Sequence, residues 1–469
     1  MNEVDEKLHA TEEADGSRLD ELGRPLVDAV IAALEDDSQS PVQDLLEHLH
    51  AADIADLLQS LDSDKRSQLV HVIDRGFLPD VLAELDDDVR DGIIEELGLA
   101  ETAAAVADMD TDDALHVISE LDEQDQQLIL EAIPASDRTL IEQALTYPES
   151  SAGRLMQREL VALPVFWSVG ETIDHMRHTA DEDPDRLPTD FFDVFVVDPG
   201  HRPVGSISLS RLIRTPRSVQ LTDLMHTDLK VIKTTTDQED VAFLFRQRDL
   251  TSAPVVDEGG RLVGVITIDD VVDVIDEEHE DDIMRLGGVS EDDFYRAAAD
   301  TVRSRFTWLL INLGTAILAS VVIGFFDATI DQMVALAVLM PIVASMGGNA
   351  GTQTLTVAVR ALAMKELIAT NALRVIGKEL LVGMVNGVLF AVITGFVTWA
   401  WFGSFGLAAV IGLAMIVNLA VAGLSGATIP LLLERLKVDP AIASSVFLTT
   451  LTDVVGFFVF LGLGTWLLL

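Results

Sequence analysis

One ionisable side chain sits where a charge is costly. Between Ala441 and Leu469, Asp453 is the only Asp, Glu, Lys, Arg or His. A run of about 20 apolar residues suffices to cross a bilayer, so Asp453 falls near mid-membrane. A carboxylate there costs at least roughly 3 kcal/mol on insertion scales. Such an acid lines a polar path or meets a cation. The plainer alternative is an Asp shielded by Thr449, Thr450 and Thr452. A second concentration of chemistry lies in Asp269–Asp282, which holds Asp270, Asp273, Asp276, Glu277, Glu278, Glu280, Asp281 and Asp282. On a helix, Asp270, Asp273 and Glu277 share a face, as do Glu278, Asp281 and Asp282. Packed carboxylates repel one another unless cations sit among them. Oxygen-only ligands suit Mg²⁺ or Ca²⁺. A solvated acidic face is the alternative.

The charge of the whole chain frames both features. The 469 residues carry 78 acids and 31 bases, a net charge of −47. Only seven of the acids and six of the bases lie after Arg305. A very acidic soluble part is therefore joined to an apolar, nearly neutral one. The soluble charge repels nucleic acid and attracts cations. Divalent-cation binding or adaptation to high salt could produce it. The acids are spread everywhere and there are only seven lysines, so most of the charge reads as salt adaptation, and only the clusters read as metal sites. There is no cysteine, and no histidine follows His279. This excludes thiolate chemistry, and it excludes imidazole metal sites in the apolar part. The acidic N-terminus lacks the pattern of a signal peptide.

The elements that position these residues form a multidomain α plus α/β chain. Residues 1–24 read as an acidic disordered lead-in. Residues 25–146 form a helical N domain. Its markers, an apolar residue followed by Asp in most copies, recur every 12 residues from Leu61-Asp62 through Leu97-Gly98 to Ile133-Pro134, with Asp as helix N-cap and Pro134 at a helix start. Units of this size cannot bury their own apolar faces, so they stack as a superhelix. A second repeat follows. Val196-Val197-Asp198 through Gly205 matches Val255-Val256-Asp257 through Gly264, and Leu155-Met156 matches Leu224-Met225. Each copy reads as a βαββα unit, one over 147–220 and one over 221–282. The pair resembles tandem CBS domains. CBS pairs often bind adenine nucleotides, and that resemblance implies a tentative nucleotide site at Gly264, Thr267 and Asp270. The first copy has Arg211 where the Asp would stand. Residues 283–305 read as a connecting helix.

Five membrane spans are expected, at about 306–325, 334–359, 380–402, 406–433 and 441–469. Lys and Arg cluster before the first span and after the second and fourth, which places the soluble part in the cytoplasm and the C-terminus outside. The second span holds Pro341, Gly347, Gly348, Asn349, Gly351 and Gln353. Such a stretch frees backbone carbonyls to line a cavity, or serves close helix packing. The path expected is one lined by carbonyls, Asn and Thr.

Taken together, the chain resembles the MgtE family of magnesium channels. The resemblance rests on the helical N domain, Tyr147-Pro148-Glu149, Ser151-Ala152-Gly153 and the CBS pair. It rests also on Gly347-Gly348-Asn349-Ala350-Gly351-Thr352-Gln353, Asp439-Pro440-Ala441 and Thr449–Gly456. It implies a homodimer in the lipid of the cell membrane, with a pore built by the second and fifth spans. Asp453 is then the ion-selecting acid, with Asn349, Thr449 and Thr450 beside it. It implies gating by intracellular Mg²⁺ at Asp270, Asp273, Glu278, Asp281, Asp282 and Asp439. The N-domain partners are expected among Asp108, Asp112 and Asp113. ATP is an expected further ligand of the CBS pair. The alternatives are a coupled transporter or exporter of Mg²⁺, Co²⁺ or another divalent cation, and a nucleotide-binding receptor. An intramembrane enzyme would need a His or Cys metal site or a Ser/Lys pair in the spans, and the spans have none.

Overall fold

The computed structural model describes residues 19–35, 39–46, 48–182, 187–188, 191–289 and 298–469. They form two compact units, one ending at Ile275 and one beginning at Asp276. The expected lead-in lies mostly outside the described residues, although the first described helix already begins at Leu19.

The first unit opens with short helices. They run from Leu19–Glu35 (α1) through Leu78–Ala83 (α5), Asp87–Leu97 (α6), Leu99–Ala107 (α7) and Thr111–Ser119 (α8) to Ala135–Ala144 (α10). Asp62 and Asp122 cap their helices by accepting from Lys65 N and from Gln124 N and Asp125 N. Asp86 and Asp110 hold the same position without that bond. Leu58, Leu82, Leu115 and Ile118 are buried where these helices stack.

Two three-stranded sheets follow, Ala162–Pro164 (β1), Asp193–Val197 (β2) and Pro203–Ser208 (β3), then Ile232–Lys233 (β4), Ser252–Val256 (β5) and Leu262–Thr267 (β6). In each, the first pair is parallel and the second antiparallel. Val196 faces Gly205 as Val255 faces Gly264, so the sequence repeat is a structural one. The copies interlock. Gln157 exchanges backbone hydrogen bonds with Val265, and His226 does so with Ser206. A Cβ on Gly264 would lie 2.6 Å from Met156 Sδ, and one on Gly205 would lie 2.6 Å from Met225 Sδ. The repeated Gly and Met are thus the two sides of one close approach.

The helix Ile268–Gly287 (α16) begins in the first unit and ends in the second. Gly288, at φ 70°, ends it with Gly288 N donating to Arg285 O and Val289 N to Met284 O, a left-handed C-terminal cap that favours glycine. The connecting segment expected at 283–305 is therefore no single described helix. Its start belongs to α16 and its end to Ala298–Gly324 (α17), which runs unbroken into the first span.

Five helices of the second unit are long and apolar enough to cross a membrane. They are α17, Ala335–Ala363 (α19), Ala372–Phe402 (α20), Phe405–Arg435 (α21) and Pro440–Leu468 (α22), with the short Asp327–Gln332 (α18) between the first two. Most of α21 is enclosed by its neighbours. Leu339, Val343, Ile411, Ala414, Phe460 and Leu461 pack where α19, α21 and α22 meet.

Gly264→Ala is expected to destabilise the chain by about 1–3 kcal/mol through overpacking. Gly92→Ala, inside α6 with open space around its Cβ, should instead stabilise by about 0.5–1 kcal/mol. Thermal unfolding of the two full-length variants should move in opposite directions.

Candidate cation sites

The first site gathers carboxylates from two helix starts. Asp110 is the N-cap of α8, and Asp112 and Asp113 lie in its first turn. Asp270 lies in the first turn of α16. Acids suit these positions because the unpaired N–H groups of a helix start carry partial positive charge. The β-sheet unit reaches the N-terminal helices through Glu159, which accepts from Thr111 Oγ1 at 2.6 Å and from Arg158 N at 3.0 Å. Asp270 Oδ2 accepts from Thr267 Oγ1 at 2.7 Å.

Asp112 is buried, and its carboxylate has only weak hydrogen-bonding contacts, with the Asp113 backbone N–H and with Asp270. The strongest charge acting on it is Asp270, followed by Asp113 and Asp110. Burial first, and these like charges second, push its carboxyl well above the ordinary range. Burial and Asp270 push Asp113 up to about 7. Burial pushes Asp270 up to about 6 against the opposing hydrogen bonds from Thr267. Burial, then Glu159, Asp80 and Asp269, raise Asp110. His116, one turn further along α8, has an exposed side chain whose pKa is lowered by desolvation and by the Arg90 charge. A buried, poorly hydrogen-bonded acid such as Asp112, with like charges acting on it, is what a cation would satisfy.

Among the described residues, no three His, Asp or Glu side chains gather closely enough to hold a metal by themselves. Mg²⁺ does not require that, since it keeps several waters and is bound through one or two carboxylates. Asp112 and Asp270 offer the carboxylate oxygens that such an ion takes.

The remaining expected acids divide. Asp108 is exposed at the C-cap of α7, and Asp110 takes the place expected for it near the pair. Asp273 is exposed on α16. Glu278, Asp281, Asp282 and Asp439 belong to the second unit. There Asp439 caps α22 through Ala441 N at 2.7 Å and pairs with Arg285 at 2.6 Å. Burial raises Asp282, with Asp439 and Glu278 adding to the effect. Of the residues expected at a nucleotide site, Gly264 packs against Met156, and Thr267 Oγ1 donates to Asp270 Oδ2 at 2.7 Å.

The second site is a polar face in the membrane helices. On α19, Ser345, Asn349, Thr352, Gln353 and Thr356 are exposed. On α22, Thr449 is exposed and Asp453, one turn later, is half-buried. Thr449 and Thr450 hydroxyls donate to carbonyls of their own helix, with Thr450 Oγ1 2.6 Å from Val446 O.

The glycine stretch corrects one expectation. α19 stays helical through Gly347–Gln353, so these carbonyls are engaged within the helix instead of lining a path. The glycines serve packing. A Cβ on Gly347 would lie 2.2 Å from Asn418 Nδ2, and one on Gly351 would lie 2.9 Å from Leu448. Asn418 is buried and donates to Val343 O at 2.8 Å.

Three family descriptions match the chain, "Divalent cation transporter" over 340–463, "MgtE intracellular N domain" over 49–150 and "CBS domain" over 221–277. The magnesium transporter MgtE of Thermus thermophilus is 35% identical over 363 residues, covering 76% of this chain and 79% of that protein. This chain belongs to the MgtE family of magnesium transporters. The MgtE of Bacillus subtilis is 28% identical over 441 residues, covering 94% and 97% of the two chains. That of Enterococcus faecalis is 32% identical over 325 residues, covering 69% and 71%. Among solved structures, the cytosolic domain of the Mg²⁺ channel MgtE in complex with ATP aligns with a TM-score of 0.49 and 29% identity, over 53% of this chain and 99% of that one. The soluble part of a magnesium transporter aligns with a TM-score of 0.49 and 26% identity, over 54% and 98%.

Glu159 and Asp110 escaped the sequence reading, because nothing in the chain order marks which acids Asp112 will meet. Arg285 left a usable signal as the only base between Asp269 and Val289.

In metal-free buffer, the stability contributed by the raised carboxyls is complete below about pH 4 and is lost as pH rises through about 6 to 7. The melting temperature of the full chain should therefore fall over that window. Added Mg²⁺ should restore it at pH 7.5, and Asp112→Asn should shrink both the fall and the rescue.

Proposed function

We propose that this MgtE family member is a Mg²⁺-selective channel of the cell membrane that admits Mg²⁺ and is held shut by intracellular Mg²⁺. The observation that carries this reading is the set of uncovered polar side chains on α19 and α22, with Ser345, Asn349 and Thr352 exposed on the one and Thr449 exposed one turn before a half-buried Asp453 on the other. Side chains of this kind do not face lipid. They line water or meet protein. A second copy placed against them would enclose them and bring two Asp453 carboxylates to one axis. Two like charges there favour a divalent cation. Mg²⁺ sheds water reluctantly, so Asn and Thr side chains would receive it partly hydrated. The soluble part would lie in the cytoplasm and the C-terminus outside.

The acidic interface supplies the feedback. A Mg²⁺ bound there would provide the positive charge that Asp112, Asp113 and Asp270 lack. Without it, ionised Asp112 and Asp270 push the α8 start away from the α16 start. With it, the two helix starts hold together, and α16 carries that state along its length to Asp281 and Asp282. Several such weak sites acting together give a steep response. Coordination, more than long-range attraction, would operate at high salt, where the Debye length shrinks to about 3 Å.

The channel reading is tested by Mg²⁺ flux into proteoliposomes. Asp453→Ala should abolish the flux of a conducting wild type, and Asp453→Asn should weaken it and blunt preference for divalent ions. Undiminished flux in Asp453→Ala would place the path elsewhere. Flux that requires an opposing Na⁺ gradient would favour the coupled-transporter alternative.

A further inference from the structure

We propose that Arg285 sets the cation affinity of the Asp281 and Asp439 carboxylates by competing for them. The proposal rests on the feedback reading above. Arg285 Nη1 donates to Asp439 Oδ2 at 2.6 Å, and Nη2 pairs with Asp281. The other oxygen of Asp439 accepts from Ala441 N at 2.7 Å and caps α22, the helix that carries Asp453. Both oxygens of Asp439 are thus engaged. A cation that coordinates Asp439 directly has to take an oxygen from the guanidinium.

The surroundings make this a contest. Glu278, Asp281 and Asp439 all act on Arg285, and Asp282 is pushed up by burial and by Asp439 and Glu278 despite the arginine. Arg285, with His279 also acting on Asp282, therefore stands among four acids, which leaves an excess of negative charge. The guanidinium is charged at every physiological pH, so it competes at constant strength.

The same geometry would suit a simple latch between α16 and α22. Packing favours competition instead. Leu286 packs with Leu355, Val359, Ala441 and Leu448, so the end of α16 keeps an apolar seat on α19 and α22 when the ion pair is lost.

The test titrates Mg²⁺ against hydrogen exchange of residues 276–287 and against flux, using the full-length wild type, Arg285→Gln and Arg285→Lys. Arg285→Gln should lower the Mg²⁺ midpoint of exchange protection roughly three- to tenfold, the scale of a half-exposed ion pair. Arg285→Lys, with a point charge in place of a fork, should fall between. An unchanged or raised midpoint in Arg285→Gln would make Arg285 a latch and overturn the proposal. A lowered exchange midpoint without a matching shift in flux closure would support the competition and count against the feedback reading. A wild type with no Mg²⁺-dependent protection would overturn both.

Discussion

The structure depends on one electrostatic constraint. Carboxylates are brought together at the start of α8 and the start of α16 without a base to meet them. Asp112 is buried with only weak hydrogen-bonding contacts, and Asp270 is the strongest charge acting on it. Such an arrangement is stable only with protons or with cations. Near neutral pH the protons are leaving, because Asp113 and Asp270 titrate at about 7 and about 6.

The membrane helices repeat the theme in another setting. Asn349, Thr352 and Thr449 are exposed, and Asp453 is half-buried, on helices that are otherwise apolar. In both places the single chain leaves something missing. In the soluble unit the shortage is of positive charge, and in the membrane unit it is of a covering surface. The helix α16 belongs to both settings, with Asp270 in its first turn and Asp281, Asp282 and Arg285 toward its end.

Much of this was legible in the sequence, and the exceptions have physical causes. The 12-residue spacing marked stacked helices because each unit must bury an apolar stripe. The matched Gly205 and Gly264 marked paired hairpins, and their close approach to Met225 and Met156 gives the reason. The five long helices followed from apolar run length. Gly347–Gly351 misled, because glycines that admit Asn418 and Leu448 look the same in sequence as glycines that unwind a helix. Partner choice was hidden as well. Arg285 meets Asp439 across 154 positions and Thr111 meets Glu159 across 48. Periodicity reports which face a residue occupies on its own helix and says nothing of the charge that face will meet.

The account's central claim is that a divalent cation, and not a shared proton, joins Asp112 to Asp270. The most direct measurement is anomalous diffraction from crystals of the full-length protein grown at pH 7.5 with Mn²⁺ in place of Mg²⁺. The account predicts an anomalous peak between the two carboxylates that disappears in Asp112→Asn. Carboxylates that stay adjacent with no peak between them would contradict it.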